Sequence, residues 1–399
     1  MSNTNRVAIT GLGCICALGG DAKACKEALF LKRREPGPPT LFQNTLQIAY
    51  PVFEVSATLP VVSHVAPQGL LRTNALALAA TEEALQEAGL ILSELDPLRI
   101  GVCIGTTVGC SFNDLEFYAE FLRRQKPDMA PVFRYLDSNT AAFVARHYGF
   151  LGPCQTVTNA CSSSTDSIGI GAEWIRAGIC DLVIAGGSDE LSMVTYYGFG
   201  SLMVTSTEAC RPFDKNRKGL NLGEGAAMFI LESENSHKAR QGRVHTYVTG
   251  YGASCDAYHL TAPSPEGVGL RNAIQKALTA SGSKPEEIAF INAHGTGTPD
   301  NDKVESKVLH DLLPDIPFLS TKGFTGHTLG AAGAVEAALT ILCLKEGKIP
   351  ASPGFAEADP DLPSAPVSQT TTITGRVAMS ESLAFGGHNS VIMLEKADD

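Results

Sequence analysis

The chain has 399 residues, 44% of them hydrophobic and 18% charged, with a net charge of -11. That length supports two domain-sized cores or one large fused pair, and the composition excludes a disordered chain. The acidic balance argues against a sequence-wide nucleic-acid footprint.

No opening stretch pairs a basic segment with an apolar one, and the longest apolar helical run, Ala331 to Leu344, is interrupted by Glu336. It is too short to span a bilayer, so a cytoplasmic protein without membrane insertion is expected. Eleven cysteines, odd in number and irregularly spaced, do not resemble a disulfide framework. Cys14 and Cys16 are one residue too close for a CxxC pair, and most cysteines should be small buried hydrophobes. Basic clusters at Lys32-Arg33-Arg34, at Arg123-Arg124 with Lys126, and around Lys215-Arg217-Lys218 are solvated charge or docking points for an acidic partner.

Taken in chain order, the elements repeat. A strand-like Val7 to Gly13 opens the chain, and a similar phrase, Val248 to Gly252, opens its second part. Each is followed by an amphipathic helix ending near a glycine, Ala75 to Gly89 and Leu270 to Gly282. Each then reaches a short apolar strand and a glycine-threonine turn, Gly105-Thr106 and Gly295-Thr296. Thr158 to Ala177 and Ser320 to Leu344 each run from a polar turn into a helix rich in small residues. Gly223 to Leu231 and Gly386 to Leu394 close the halves as strands. Strands alternating with helices predict parallel βαβ units, and the small-residue helices suit an interior position between two sheets. Two similar α/β halves are expected, Met1 to Arg240 and Gln241 to Asp399. A charged surface crossing spans Glu232 to Arg243, and Pro350 to Pro366 reads as an irregular loop.

Three segments carry chemistry. Cys161 sits in Thr158-Asn159-Ala160-Cys161-Ser162-Ser163-Ser164-Thr165-Asp166, where a strand turns into a helix. The free amides and positive dipole end of a helix N-terminus favour a thiolate and can hold an oxyanion. His294 follows the strand Ile288 to Ile291, at the end where α/β sheets place ligands. Lys322 and His327 stand five residues apart before the helix that begins near Leu329.

Together with Leu222-Gly223-Glu224-Gly225-Ala226 and Ala384-Phe385-Gly386-Gly387, these strings resemble the Cys-His-His condensing enzymes. That family comprises the elongating β-ketoacyl-acyl-carrier-protein synthases of the thiolase superfamily, and the resemblance runs from Val7 to Glu395. It implies a five-layered αβαβα fold of duplicated halves. It implies a reaction in which Cys161 carries an acyl group while malonyl carrier protein loses carbon dioxide and condenses with it. By the same resemblance, His294 and His327 donate hydrogen bonds to the enolate oxygen, and Lys322 with Glu336 fixes the state of His327. The amides of Cys161 and Phe385 form an oxyanion hole, and Phe385 gates the site. Thr296 and Thr298 bind the pantetheine arm, while Phe199 and Val108 line the acyl pocket. Substrates arrive on the phosphopantetheine of an acyl carrier protein, with no metal or redox cofactor. The partner subunit is a second copy or a related chain-length factor.

Departures from the family pattern are Ala384 for the usual glycine, His388 for a threonine, and Arg217 to Asn221 without the common Asp and Phe. The loop between Phe199 and Arg211 is shortened, and Cys110 adds a thiol near the acyl pocket. They leave catalysis intact and open a polyketide or aryl-polyene pathway beside fatty-acid synthesis. Competing readings fare worse. Gly11-x-Gly13 has Cys16 where a dinucleotide fingerprint needs its third glycine. A cysteine peptidase leaves Lys322, His327 and the duplication without a role. Thiolases proper carry a second cysteine in the last glycine loop, absent from Phe385 to Asn389. A non-catalytic chain-length factor would lack Cys161.

Overall fold

The computed structural model describes residues 6–45, 47–60, 70–107, 115–137 and 139–398. The first half contributes β1 (Val7–Cys16), β2 (Ile100–Gly105), β3 (Cys154–Val157), β4 (Leu182–Asp189) and β5 (Gly225–Glu232). The second contributes β6 (Thr246–Cys255), β7 (Ile288–Asn292), β8 (Phe318–Leu319), a short pair β9 (Lys348–Ile349) and β10 (Thr371–Thr372), then β11 (Val377–Leu383) and β12 (His388–Lys396). The first five strands order as β3-β2-β4-β5-β1 and the second set as β8-β7-β11-β12-β6. The two orders are the same pattern written twice, so the duplication extends to topology. Val7 to Ile9 pair with Thr246 to Val248, and this short antiparallel seam joins the halves.

The sheets are mixed rather than parallel. β2 runs parallel to β3 and β4, but β5 is antiparallel to both β4 and β1. The second half repeats this, with β11 and β12 joined antiparallel across a turn of a few residues. That turn is too short for a helical crossover, which a parallel pair would require. The Glu232 to Arg243 crossing also holds more structure than expected. Glu232 is fully buried, bonded to Thr10 and Arg240, and a short helix covers Glu234–Ala239.

Alternation along the strands explains the five layers. On β5, Ala227, Phe229 and Leu231 face a central cluster, while Ala226, Met228 and Ile230 face the outer helix Arg72–Ala88. On β12, Ile392 and Leu394 face the centre, while Val391 and Met393 face the outer helix Val268–Ser281. Between the sheets lie the helices Ser163–Arg176 and Ala332–Glu346; the second is buried from Ala332 through Leu344. No helix among the described residues is long and apolar enough to cross a membrane.

The two central helices approach so closely that a Cβ on Gly333 would lie 1.9 Å from the Thr165 hydroxyl. Thr165 in turn bonds the Ser382 hydroxyl at 2.9 Å, which limits its retreat. Gly333→Ala is therefore expected to destabilise by about 1–3 kcal/mol through overpacking, read as a lowered unfolding midpoint in denaturant.

Candidate active site

Cys161 lies in a single 3-10 turn, Ala160–Ser162, that leads straight into the helix Ser163–Arg176. Ala160 takes a left-handed φ of 51°, which turns the chain sharply out of β3. Asp166 holds that turn: it accepts from Asn159 (2.9 Å), Ser162 (3.2 Å), Tyr251 of the second half (2.8 Å) and Ser390. The equivalent turn of the second half has the same form, with Leu329 at φ 56° and a 3-10 turn Leu329–Ala331 before the central helix. Gly330 thus occupies the place that Cys161 holds in the first half.

His327 comes to the cysteine through a contact between halves. Its N–H donates to the Asn221 carbonyl (2.8 Å), and its carbonyl accepts from Gly223 (3.0 Å). A side chain at Gly223 would lie 2.1 Å from the Thr325 carbonyl, so this approach needs glycine. The motif Leu222 to Ala226 is thereby a splint for His327, anchored by fully buried Glu224, which Arg72 holds with two hydrogen bonds. His327 Nε2 stands 3.1 Å from Cys161 Sγ, and Leu329 N–H donates to Nδ1 at 3.1 Å. With Nδ1 accepting, the neutral ring carries its proton on Nε2, facing the sulfur.

His294 follows β7, and its amide is fixed by Glu305 (2.5 Å). Its ring stands 5.3 Å from that of His327, nearly perpendicular. Lys322, buried to 1% exposure, reaches His294 Nδ1 at 3.0 Å, the His294 carbonyl at 2.7 Å and Glu336. An ammonium has three donors and no acceptor. All three are committed, so His294 also keeps its proton on Nε2, and Lys322 has none left for a substrate. Sequence reasoning paired Lys322 with His327; the hydrogen bond goes to His294 instead. His327 feels the lysine only through space. Burial first, and then the Lys322 charge, push both imidazoles well below their usual range, so both stay neutral.

The expected thiolate is also corrected. Burial pushes the Cys161 thiol up to about 11, and the Lys322 charge and the Phe385 amide offset this only in part. A helix dipole is worth about half a charge, and at 4% exposure desolvation outweighs it. The resting group is a thiol.

A cavity of about 360 Å³ opens over these residues, lined by Cys161, His294 and His327 together with Phe199, Phe385 and the Thr296–Thr298 pair. Phe199 stacks on Phe385 with centroids 5.5 Å apart, and the two threonine hydroxyls share a 2.8 Å hydrogen bond. Glu336 sits behind Lys322, where burial raises its carboxyl to about 7. Val108 and Cys110 lie outside the described residues. His388 does not line the cavity; its carbonyl closes the Ala384 turn at 2.7 Å. Arg217, read as a docking candidate, has a side chain only 8% exposed that is held to Asp359 at 2.5 Å. Lys218 beside it is 61% exposed at the cavity, paired with Glu208.

Three buried carboxylates escaped sequence reasoning. Glu305 holds the His294 and Gly295 amides, and neighbouring Glu381 is held well above the carboxylate range by burial and by Glu305. Asp189 binds the Thr107 and Gly330 amides, tying the loop after β2 to the turn after His327. The only hint was acidic residues in a helix, Asp302 and Glu305, on the side that packs inward.

Comparison with known proteins agrees with this site. The "Beta-ketoacyl synthase, N-terminal domain" family matches residues 4–237, and "Beta-ketoacyl synthase, C-terminal domain" matches 245–356. The chain belongs to the β-ketoacyl synthase family. It is 34% identical to a "3-oxoacyl-[acyl-carrier-protein] synthase 2" of Synechocystis, covering 98% of each chain. Among solved structures it resembles "the ishigamide ketosynthase/chain length factor", with TM-score 0.92 and 32% identity over 99% of this chain and all of that one. It also resembles the ketosynthase ApeO in complex with its chain length factor ApeC from Xenorhabdus doucetiae, with TM-score 0.83 and 30% identity over 100% of this chain and 99% of that one.

Proposed function

We propose that this protein condenses malonyl-acyl-carrier-protein with an acyl group held as a thioester on Cys161, extending the chain by two carbons. The observation that carries this is a cysteine sulfur 3.1 Å from one neutral imidazole, with a second ring 5.3 Å from the first, under one cavity. In the first step Cys161 attacks the primer thioester; the pantetheine sulfur leaves and takes the thiol proton. The Cys161 and Phe385 amides receive the oxyanion. In the second, malonyl thioester loses carbon dioxide, and the electron pair forms an enolate whose oxygen accepts from Nε2–H of His294 and of His327. The enolate carbon then attacks the acyl-cysteine, and the cysteine sulfur leaves and is reprotonated. Thr296 and Thr298 would guide the pantetheine arm. No metal or redox group takes part in these steps. The decisive assay measures carbon dioxide release and a two-carbon-longer product from malonyl carrier and an acyl primer; neither product appearing would end the proposal.

A cytoplasmic setting belongs to the same proposal, supported by ten described cysteines that are all free thiols. Lys218 is the basic residue best placed to meet an acidic carrier. Lys218→Glu is expected to raise KM for carrier-borne substrates about 3–10-fold at low salt, with kcat little changed. Free pantetheine substrates should show no such rise; an equal rise for both would refute docking at this lysine.

A second reading, as the active subunit of a heterodimer with a chain-length factor in a polyketide or aryl-polyene pathway, draws on the surface. Tyr118, Phe121 and Leu122 are each more than half exposed on the helix Leu115–Leu122, and Phe133 adds to them. Such exposed apolar side chains suit a subunit contact. A stable, fully active homodimer in sedimentation and activity assays would exclude an obligate heterodimer. A non-catalytic partner role is disfavoured by the complete Cys161-His294-His327 arrangement.

A further inference from the structure

The condensation leaves one cluster of nucleophilic groups unused. Cys14 and Cys16 lie on the same face of β1, and Cys25 comes to them from the helix Ala22–Phe30. The three sulfurs lie within 4.8 Å of one another, and each residue is at most 1% exposed. No other group of three or more His, Cys, Asp or Glu ligand atoms among the described residues converges this way. Cys16 and Cys25 are 3.6 Å apart at sulfur. Tetrahedral zinc with Zn–S bonds of about 2.3 Å places its sulfurs about 3.8 Å apart. The Cys16–Cys25 spacing is close to that of two ligands around one ion, and the Cys14 sulfur lies within 4.8 Å of both.

The surrounding backbone draws the three residues together, with the Cys25 thiol donating to the Cys14 carbonyl at 3.7 Å and the Gly19 carbonyl at 3.5 Å. Cys16 closes a tight hairpin with Gly19 through paired 3.0 Å hydrogen bonds. Gly19 is required here, since a Cβ would come within 2.6 Å of Ala24 Cβ. Glu83 braces the cluster from the side, accepting the Cys14 and Ala22 amides at 2.8 Å each.

We propose that Cys14, Cys16 and Cys25 form a structural zinc site. Thiolate sets select soft ions, chiefly Zn²⁺ and Cu⁺. Burial decides between them: three thiolates around Zn²⁺ leave a net charge of -1, around Cu⁺ a charge of -2, in an apolar core cluster. On binding, the thiols release their protons to solvent. The exposed Gly20, next to Gly19, whose carbonyl is 3.5 Å from the Cys25 sulfur, gives a short route in. The ion would staple the first helix to β1, the strand that forms the seam with β6.

The test uses the full-length protein, stripped with a chelator under reducing conditions and then titrated with Zn²⁺, Cu⁺ or Co²⁺ alone. The expected result is one Zn²⁺ per chain by native mass spectrometry, a rise of a few degrees in unfolding midpoint, and a sulfur-to-cobalt charge-transfer band with Co²⁺. Cys161→Ala should keep all three. Cys16→Ser and Cys25→Ser should each weaken Zn²⁺ by at least about 100-fold. The proposal is overturned if the wild-type protein takes up no zinc, prefers Cu⁺, or lacks the band. It is also overturned if binding persists in both serine variants, or if a Cys16–Cys25 disulfide forms in place of a metal site. The wild-type readings stand even if a serine variant fails to fold.

Discussion

Replacement of Cys161 by alanine is expected to reduce acyl transfer to background, a loss on the order of 10⁴-fold or more. Among the described residues Cys161 is the only cysteine lining the cavity, and an imidazole nitrogen stands 3.1 Å from its sulfur. Removing it leaves the amides proposed to hold the oxyanion in place but nothing to form the thioester. The measurement is intact-protein mass spectrometry after incubation with an acyl-loaded carrier, followed by peptide mapping. Mapping is needed because Cys154 and Cys255 are exposed and will react with small thiol reagents. A condensing-site inhibitor should label Cys161 alone; label that persists in Cys161→Ala would move the nucleophile elsewhere. The thiol also sets a pH dependence. Its reactive form is the deprotonated one, and its pKa stands at about 11. Alkylation of Cys161 should therefore rise about tenfold per pH unit through neutral and mildly alkaline pH. A plateau near neutral pH would mean that the helix end and Lys322 win over burial after all.

His294→Ala should separate the two half-reactions. The ring stands beside His327 rather than at the sulfur, so acylation of Cys161 is expected to continue within a few-fold of wild type. Condensation should fall by about 10²–10³, the usual loss for one oxyanion donor. The variant also deprives Lys322 of its Nδ1 acceptor, which leaves a buried ammonium short of one partner. His294→Gln, which keeps a donor near the same place, should recover part of the condensation rate; equal failure of both variants would point to Lys322 displacement instead. Single-turnover chemistry on pre-acylated enzyme is the measurement. Unchanged condensation in His294→Ala would remove this ring from the mechanism.

Local sequence revealed much of this site because local rules built it. The Cys161 turn, the strand before His294 and the small-residue helices each announce themselves through a spacing of a few residues. What stayed hidden depends on partners far along the chain. Nothing near Lys322 tells that its ammonium ends on His294, 28 residues away, rather than on His327. Gly223 reads as an ordinary turn glycine until the Thr325 carbonyl is seen 2.1 Å from its missing Cβ. Arg217 looked like surface charge because burial by Asp302 and Asp359 is a tertiary fact. The mixed sheets escaped for a similar reason: the β11–β12 turn reverses the chain where the strand–helix rhythm suggested another crossover. Cys161 itself was found by its position, but its ionisation was misjudged because desolvation cannot be read from neighbours in sequence.

The matching turns at Cys161 and Gly330 have an electrostatic consequence. Both central helices begin there, and these beginnings touch. Each α-helix presents roughly half a positive charge at its start. Two positive poles thus meet beside the Cys161 turn, one supplied by each copy of an ancestral unit. Half of this molecule, even folded, would offer only one pole and either the sulfur or the imidazoles, never both. Fusion of the copies is what makes the chemistry available to a single polypeptide.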